Sequence, residues 1–223
     1  VKLNTGATTF YSFANIKPKE IGLDASTSVG QQLPTDFDEQ TYQMDGNSKL
    51  FRLSMTSDFQ NGYPMSNKQM VNITDNQQVI NLEVIRMVAK VQLSITNATD
   101  HPINLKTITL SDVTQNGNQN IKLLPNVDSA NKLKGVNLPD GVAKGTITLE
   151  ADDNNGITIG EGAKQKACFY MNESLVDKGA DDGNRYFILS LTTVDEATGT
   201  TSNKRYAMLS WNEIRRNDYL KIP

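Results

Sequence analysis

The 223-residue chain has one cysteine, one histidine and one tryptophan, and no excess of positive charge. A lone Cys168 closes no internal disulfide. In Lys166-Ala167-Cys168-Phe169-Tyr170 it lies in a short apolar run, where a buried, inert thiol is expected. A single imidazole excludes three-histidine metal sites, and Ser-His-Asp or Cys-His catalysis would have to run through His101. That residue precedes Pro102 in a turn-forming stretch, so a solvated turn histidine is expected. The 22 Lys and Arg against 25 Asp and Glu leave a formal charge of -3, which gives no electrostatic case for a nucleic-acid partner. No apolar run approaches the roughly 18 residues of a membrane helix. The richest stretch, residues 79–95, is broken by Asn81, Glu83, Arg86, Lys90 and Gln92. The chain itself is therefore not expected to span a membrane. It starts and stops inside strand-like patterns, so both ends look trimmed and any signal or lipid anchor is expected to lie outside it.

Signature motifs of enzymes are missing as well. There is no G-x-S-x-G, G-x-x-x-x-G-K-[ST], H-E-x-x-H or post-strand G-x-G-x-x-G. The pairs Asp152-Asp153 and Asp181-Asp182 fall in Asn/Gly-rich stretches that read as hairpin loops, where adjacent carboxylates point apart and stay solvated. Around Asp152 and Asn154 the spacing departs from a calcium loop, because Gly156 stands where a third ligand is needed. A non-enzymatic protein without metal or cofactor is the expectation.

What the chain does have is Asn, Thr and Asp: 23, 21 and 17 of them, against 8 Glu and 13 Ala. Thr suits pleated strands and Asn and Asp suit turns, whereas Ala and Glu favour helices, so the profile is all-β. Period-two alternation marks Phe51, Leu53 and Met55, then Ile80, Leu82 and Val84, then Ile85, Met87, Ala89, Val91, Leu93 and Ile95. Further strands are expected over 8–16, 103–110, 145–149, 167–171, 186–193, 205–209 and 218–222. About ten short strands separated by turn signals describe a sandwich, with helical signal limited to a turn or two within 34–44. The alternation slips by one residue at Val84, Ile85 and Arg86. A slip of that kind flips every later side chain, so a bulge or change of sheet is expected there. Unbroken, the stretch 78–97 would run roughly 65 Å, far beyond an ordinary strand. This reading divides the chain into an N-terminal domain, 1–84, and a C-terminal domain, 85–223. Met87, Ala89, Val91, Leu93 and Ile95 form the inward face of the second domain's first strand.

Several of these segments resemble the fimbrillin family, the pilins and pilin-associated adhesins of Bacteroides-type bacteria. Phe10-Tyr11-Ser12-Phe13-Ala14-Asn15-Ile16 is similar to its Y-x-F-A-N-I strand, and Tyr63-Pro64-Met65-Ser66 to its P-M-S/T turn. Arg86-Met87-Val88-Ala89-Lys90-Val91 resembles its R-x-V-A-K/R-V segment. Leu123-Leu124-Pro125, residues 169–174 (FYMNES) and residues 211–219 (WNEIRRNDY) resemble its L-L-P, F-Y-x-x-E-N/S and W-x-x-I-x-R-N-x-Y stretches, in the same order. The resemblance implies two transthyretin-like (Greek-key, immunoglobulin-like) β-sandwich domains in tandem. It also implies export as an outer-membrane lipoprotein, a place in the cell-surface fimbrium, and assembly with other subunits by β-strand donation. Family members usually carry further strands before the F-A-N-I segment and commonly continue the strand after R-N-D-Y-x-x-I-P, both absent from this sequence, so the first domain would be incomplete at its start, and no arginine can be nominated as the activation cleavage site.

Candidate functional residues follow from pattern. Asp218, Tyr219, Leu220, Lys221 and Ile222 alternate with one apolar face and stop at Pro223, which suits either an assembly strand donated between subunits or a strand that closes its own sandwich, the donor strand then being expected beyond Pro223. The runner-up function is an extracellular carbohydrate-binding sandwich module, in which exposed aromatics stack on sugar rings. Tyr42 and Tyr63, in loop-like stretches, are the candidate ligand contacts, whereas Trp211 is expected to anchor the core between sheets. For either function, host or bacterial surface glycans or proteins are expected partners, beside other fimbrial subunits for the first. Asp128-Ser129-Ala130 resembles a D-[ST]-A acceptor for O-glycosylation at Ser129, and the sequons at Asn72, Asn97 and Asn172 read as chance in an Asn/Thr-rich chain.

Overall fold

In the computed structural model, residues 3–23, 32–43, 53, 62–74, 78–114, 120–151, 155–176 and 186–223 are described. Strand β5 (Ala89–Thr96) shows how the sequence makes the sheets: Ala89, Val91, Leu93 and Ile95 are buried while Lys90, Gln92 and Ser94 are half-exposed. Strand β10 (Lys164–Met171) pairs with it antiparallel, setting Phe169 opposite Val91 and Ala167 opposite Leu93. Strand β15 (Tyr219–Ile222) pairs with β5 on its other side, parallel, with Leu220 opposite Val91.

The facing sheet has the order β13 (Thr201–Ala207), β12 (Ile188–Asp195), β6 (Ile103–Thr114), β8 (Lys144–Glu150), with β9 (Ile157–Ile159) also on β6. Its inner residues, including Leu105, Ile108, Leu110, Val113, Leu149 and Leu189, form one core with those of β5, β10 and β15, which makes a β-sandwich. The buried apolar positions of β6 are spaced three, two and three residues apart. The register shifts around Lys106 and again between Leu110 and Val113, where Asp112 takes a left-handed φ of 62°. Those bulges return each apolar side chain to the core after the alternation has drifted.

A second core lies beside the first. Ile21 and Phe37, from 3-10 turns at Pro18–Ile21 and Phe37–Glu39, pack with Met87, Val88, Ile121, Leu123, Leu124 and Tyr170. Above it sits a small sheet in which β3 (Met65–Ile73) lies between β1 (Gly6–Ala14) and the two-residue β4 (Ile85–Arg86). Strand β2 (Thr41–Gln43) pairs with β7 (Asn120–Lys122), so backbone hydrogen bonds tie residues before position 84 to residues after it. A last pair joins β11 (Ser174–Leu175) to β14 (Glu213–Ile214).

The structure corrects several sequence expectations. Ile80, Leu82 and Val84 are not in a strand. Residues 78–84 are held by side chains instead: Gln69 accepts from the Glu83 N–H at 2.7 Å and donates to the Asn81 carbonyl at 3.5 Å, while Val79 is 84% exposed. The change of sheet falls at Met87 and Val88, two residues after the expected slip, and the bend sends Met87 into the second core rather than onto the inner face of β5. Strand β3 was not expected because its buried positions include Ser66, Asn67 and Gln69, which leave no apolar alternation to read. Of the expected strand at Phe51, Leu53 and Met55, only Leu53 is described, partly buried against the larger core. The pairs Asp152-Asp153 and Asp181-Asp182 lie outside the described residues.

The register of β5 makes a sharp contrast between neighbours. Replacing Val91, which is fully buried, with Asp places an unpaired charge in the core and is expected to cost roughly 3 to 5 kcal/mol. Gln92→Glu, on the outer face, keeps the side-chain acceptor and is expected to stay within about 0.5 kcal/mol of the parent. Urea denaturation of the two variants measures both, and equal losses would contradict the register.

Candidate assembly surface

The last strand is delivered to its place by a turn built from charged side chains. Asn217 adopts a left-handed φ of 65°, which Asn tolerates better than most residues. Asp218 accepts from the Arg215 backbone N–H at 2.9 Å and from its guanidinium at 3.2 and 3.4 Å. The turn is pinned to the start of β5: Asn217 N–H donates to the Val88 carbonyl, Lys90 N–H to the Asp218 carbonyl, and Arg86 Nε to Asn217 Oδ1 at 2.8 Å. From there Leu220 points into the core at 4% exposure, whereas Tyr219 and Lys221 face outward. Asp218 thus belongs to the turn, and residues 219–222 pair within their own chain. On the outer face Tyr170, Lys90 and Tyr219 are direct neighbours across three strands. The Lys90 ammonium lies 5.1 Å from the Tyr219 ring centre and 6.0 Å from that of Tyr170.

Strand β15 is shorter than the strand it covers. It pairs with β5 only as far as Leu93, while β10 continues along the other side to Thr96. Among the described residues, the β15 side of Ser94, Ile95 and Thr96 has no ladder partner. Next to this edge a groove of about 300 Å³ opens between the two sheets, lined by Leu93, Ile95, Leu189, Leu191, Tyr206 and Ile222 among others. At the opposite sheet's edge, β13 is exposed throughout and carries Lys204 and Arg205, the kind of charge that discourages edge pairing.

The other sequence candidates are spread over the molecule. Tyr42, on β2, is half-buried against the second core, and burial followed by the nearby Glu20 carboxylate raises its phenol pKa. Tyr63 also packs there, its hydroxyl 2.5 Å from that of Tyr170, with the Arg86 guanidinium 5.8 Å from its ring centre. Burial, followed by the hydrogen bond with Tyr63, pushes the Tyr170 phenol well above its usual range. Trp211 is only partly buried against the larger core. Cys168 is buried, with Sγ 3.9 Å from Gln92 Oε1. Ser129 is exposed in a tight turn whose Asp128 accepts from the N–H groups of Ala130 and Lys132. Asn97 and Asn172 are buried, so neither side chain is open to a glycan; Asn72 is exposed. Sequence reasoning missed that the last strand lies parallel beside β5, since strand neighbours are set by pairing rather than by residue type.

His101 stands between two carboxylates, Nε2 2.5 Å from Asp195 Oδ2 and Nδ1 2.6 Å from Asp100 Oδ1. The hydrogen bond to Asp195 is the main cause that raises its pKa above the ordinary 6.5, and Asp195, held chiefly by the Thr198 N–H, is lowered below its ordinary 3.8. A raised histidine contributes stability in full below about pH 6.5 and loses it as pH rises through the folded value; a lowered aspartate contributes above about pH 3.8 and loses it below. The clamp between the 97–102 turn and the β12–β13 hairpin therefore acts in the window between. In a pH series of thermal melts, the midpoint advantage of the parent over His101→Gln is expected to be largest at about pH 5 to 6 and to shrink above neutrality. A difference that grows with pH would contradict the pairing.

No family model matches the sequence, and no curated protein matches it. Among solved structures the chain is similar to the tip fimbrial protein Mfa3 from Porphyromonas gingivalis with C-terminal truncation, at a TM-score of 0.50 and 18% identity. The alignment covers 91% of this chain and 63% of that one, so the chain spans less than two thirds of its length. It also aligns with a candidate adhesin from Bacteroides thetaiotaomicron, at 11% identity and a TM-score of 0.41, over 92% of this chain and 61% of that one. The all-β chain has a fimbrillin-like fold of the Mfa3 kind.

Proposed function

We propose that this protein is a non-enzymatic subunit of a cell-surface fimbrium, or an adhesin associated with one, and that it joins other subunits by β-strand pairing. The observation that carries the reading is the apolar groove between the sheets, which lies next to β5 where its pairing with β15 reaches Leu93. An extended segment from another subunit laid there would extend the ladder that β15 begins, with alternate side chains filling the slot lined by Leu189 and Leu191. The fimbrillin-like fold supports the same reading. Export and attachment would then depend on a lipid anchor outside this chain. The domain division near residue 84, with two transthyretin-like units in tandem, belongs to this proposal. The second core and the β2–β7 pair would form the join between the units.

The same reading assigns residues 217–223 to the subunit's own sandwich. Their removal takes Leu220 out of the core and is expected to lower the thermal midpoint sharply, at a cost of roughly 2 to 5 kcal/mol. A truncated protein that melts like the parent yet no longer enters fimbriae would show instead that the segment is exchanged between subunits. For the acceptor edge, a photo-crosslinking residue at the half-exposed Tyr206 is expected to capture a neighbouring subunit in assembled fimbriae. Normal incorporation without any crosslink would refute the groove as the contact.

A further inference from the structure

We infer that the outer face of the β10–β5–β15 sheet binds an acidic polysaccharide, one that carries carboxylate or sulfate groups. The strand register puts four lysines on that face. Lys164 and Lys166 lie opposite Thr96 and Ser94 of β5, Lys221 lies opposite Gln92, and Lys90 stands between Tyr170 and Tyr219. Positions on this face alternate with the inward Ala89, Val91, Leu93 and Ile95, so all four lysine side chains leave the sheet on its outer side. The three strands contain no Asp or Glu. In a chain of formal charge -3, the face is a local concentration of positive charge.

The charges that border the face do not cancel it. Asp218 and Glu213 share Arg215, and Glu173 is buried with Arg216, which leaves Glu161, in the turn before β10. Arg86, bonded to Asn217 ahead of β5, adds a further cation. Lys164, Lys166 and Lys221 are exposed, and none of the three is ion-paired among the described residues. Lys90 and Lys221 lie 5.1 and 4.9 Å from the centre of the Tyr219 ring, whose hydroxyl donates to Gln92 Oε1 at 2.6 Å. That tyrosine therefore positions two cations and is not a stacking platform. From Lys90 to Lys164 the face runs roughly 20 Å along the strands and roughly 10 Å across them, long enough to meet several residues of a linear polymer. Gln92, Ser94 and Thr96 set amide and hydroxyl groups among the lysines, and these match sugar hydroxyls. An anionic membrane fits less well, because no strand position on the face presents an exposed aliphatic side chain to insert. An acidic peptide would call for a strand edge or side-chain pockets, which the flat of a sheet does not offer.

Dextran sulfate, polygalacturonate and neutral dextran are each titrated against the intact chain by calorimetry at low ionic strength. At least one acidic polymer is expected to bind and to be released as salt is raised, and which one binds separates sulfate from carboxylate recognition. The double substitution Lys164→Gln with Lys166→Gln is expected to weaken binding about tenfold without moving the thermal midpoint. Lys204→Gln with Arg205→Gln, on the exposed β13, removes the same charge elsewhere and is expected to leave the affinity within about twofold of the parent. The inference is refuted if neither acidic polymer binds, if neutral dextran binds equally well, or if the two double variants lose affinity alike. Binding of polyglutamate or of phosphatidylglycerol vesicles in place of the polysaccharides would refute it as well. The groove opens on the other side of this sheet, so the outcome does not depend on subunit pairing.

Discussion

The ion pair between Arg216 and Glu173 is the node at which the parts of this molecule meet. Both side chains are buried, at 0% and 2% exposure, and Arg216 Nη2 lies 2.7 Å from Glu173 Oε2. Two buried charges are costly unless their remaining donors and acceptors are satisfied. Here most are: Arg216 donates to the carbonyls of Lys122 and Leu123 at 2.8 and 3.2 Å, and its own backbone N–H donates to Glu173 Oε1 at 3.2 Å. The Leu123 carbonyl also accepts from Ser66 Oγ, on β3. One buried network thus ties the N-terminal sheet, the end of β7, the link between β10 and β11 and the turn before β15. Removing either charge would strand the other, so the geometry holds as a unit.

That node explains how a four-residue strand keeps its place. With Arg216 fixed inward, Arg215 and Asp218 are left to shape the turn at the surface, and β15 leaves it in register with β5. Its pairing with β5 runs from Lys90 to Leu93, next to the apolar groove between the sheets.

The two cores serve different ends. The larger one fills the space between sheets and depends on alternation, corrected in β6 by bulges. The smaller one is richer in aromatic rings: Tyr11 and Phe13 meet Phe37 edge-on, with ring centres 5.0 and 6.2 Å apart, and Tyr63 lies 5.0 Å from Tyr170. Large rings with polar tips suit a junction where one side is apolar and the other wet.

The sequence by itself determined the all-β class, the inward face of β5 from Ala89 to Ile95, the apolar face of Leu220 and Ile222, and a break in the chain's course near residue 85. These are local matters, written in period-two alternation and turn chemistry within a few residues. It misled where locality fails: Ile80, Leu82 and Val84 alternate yet pair with nothing as a strand, while β3 buries polar residues that the alternation cannot signal. Tertiary structure alone decided which of two adjacent arginines is buried, because Arg216 finds its partners 43 and 93 positions away. It alone set that β15 lies beside β5 and runs parallel to it. It also left Trp211, an expected inter-sheet anchor, only partly buried against the larger core. Pairing partners and exposed edges depend on which distant segments fold together, and that information is spread along the whole chain.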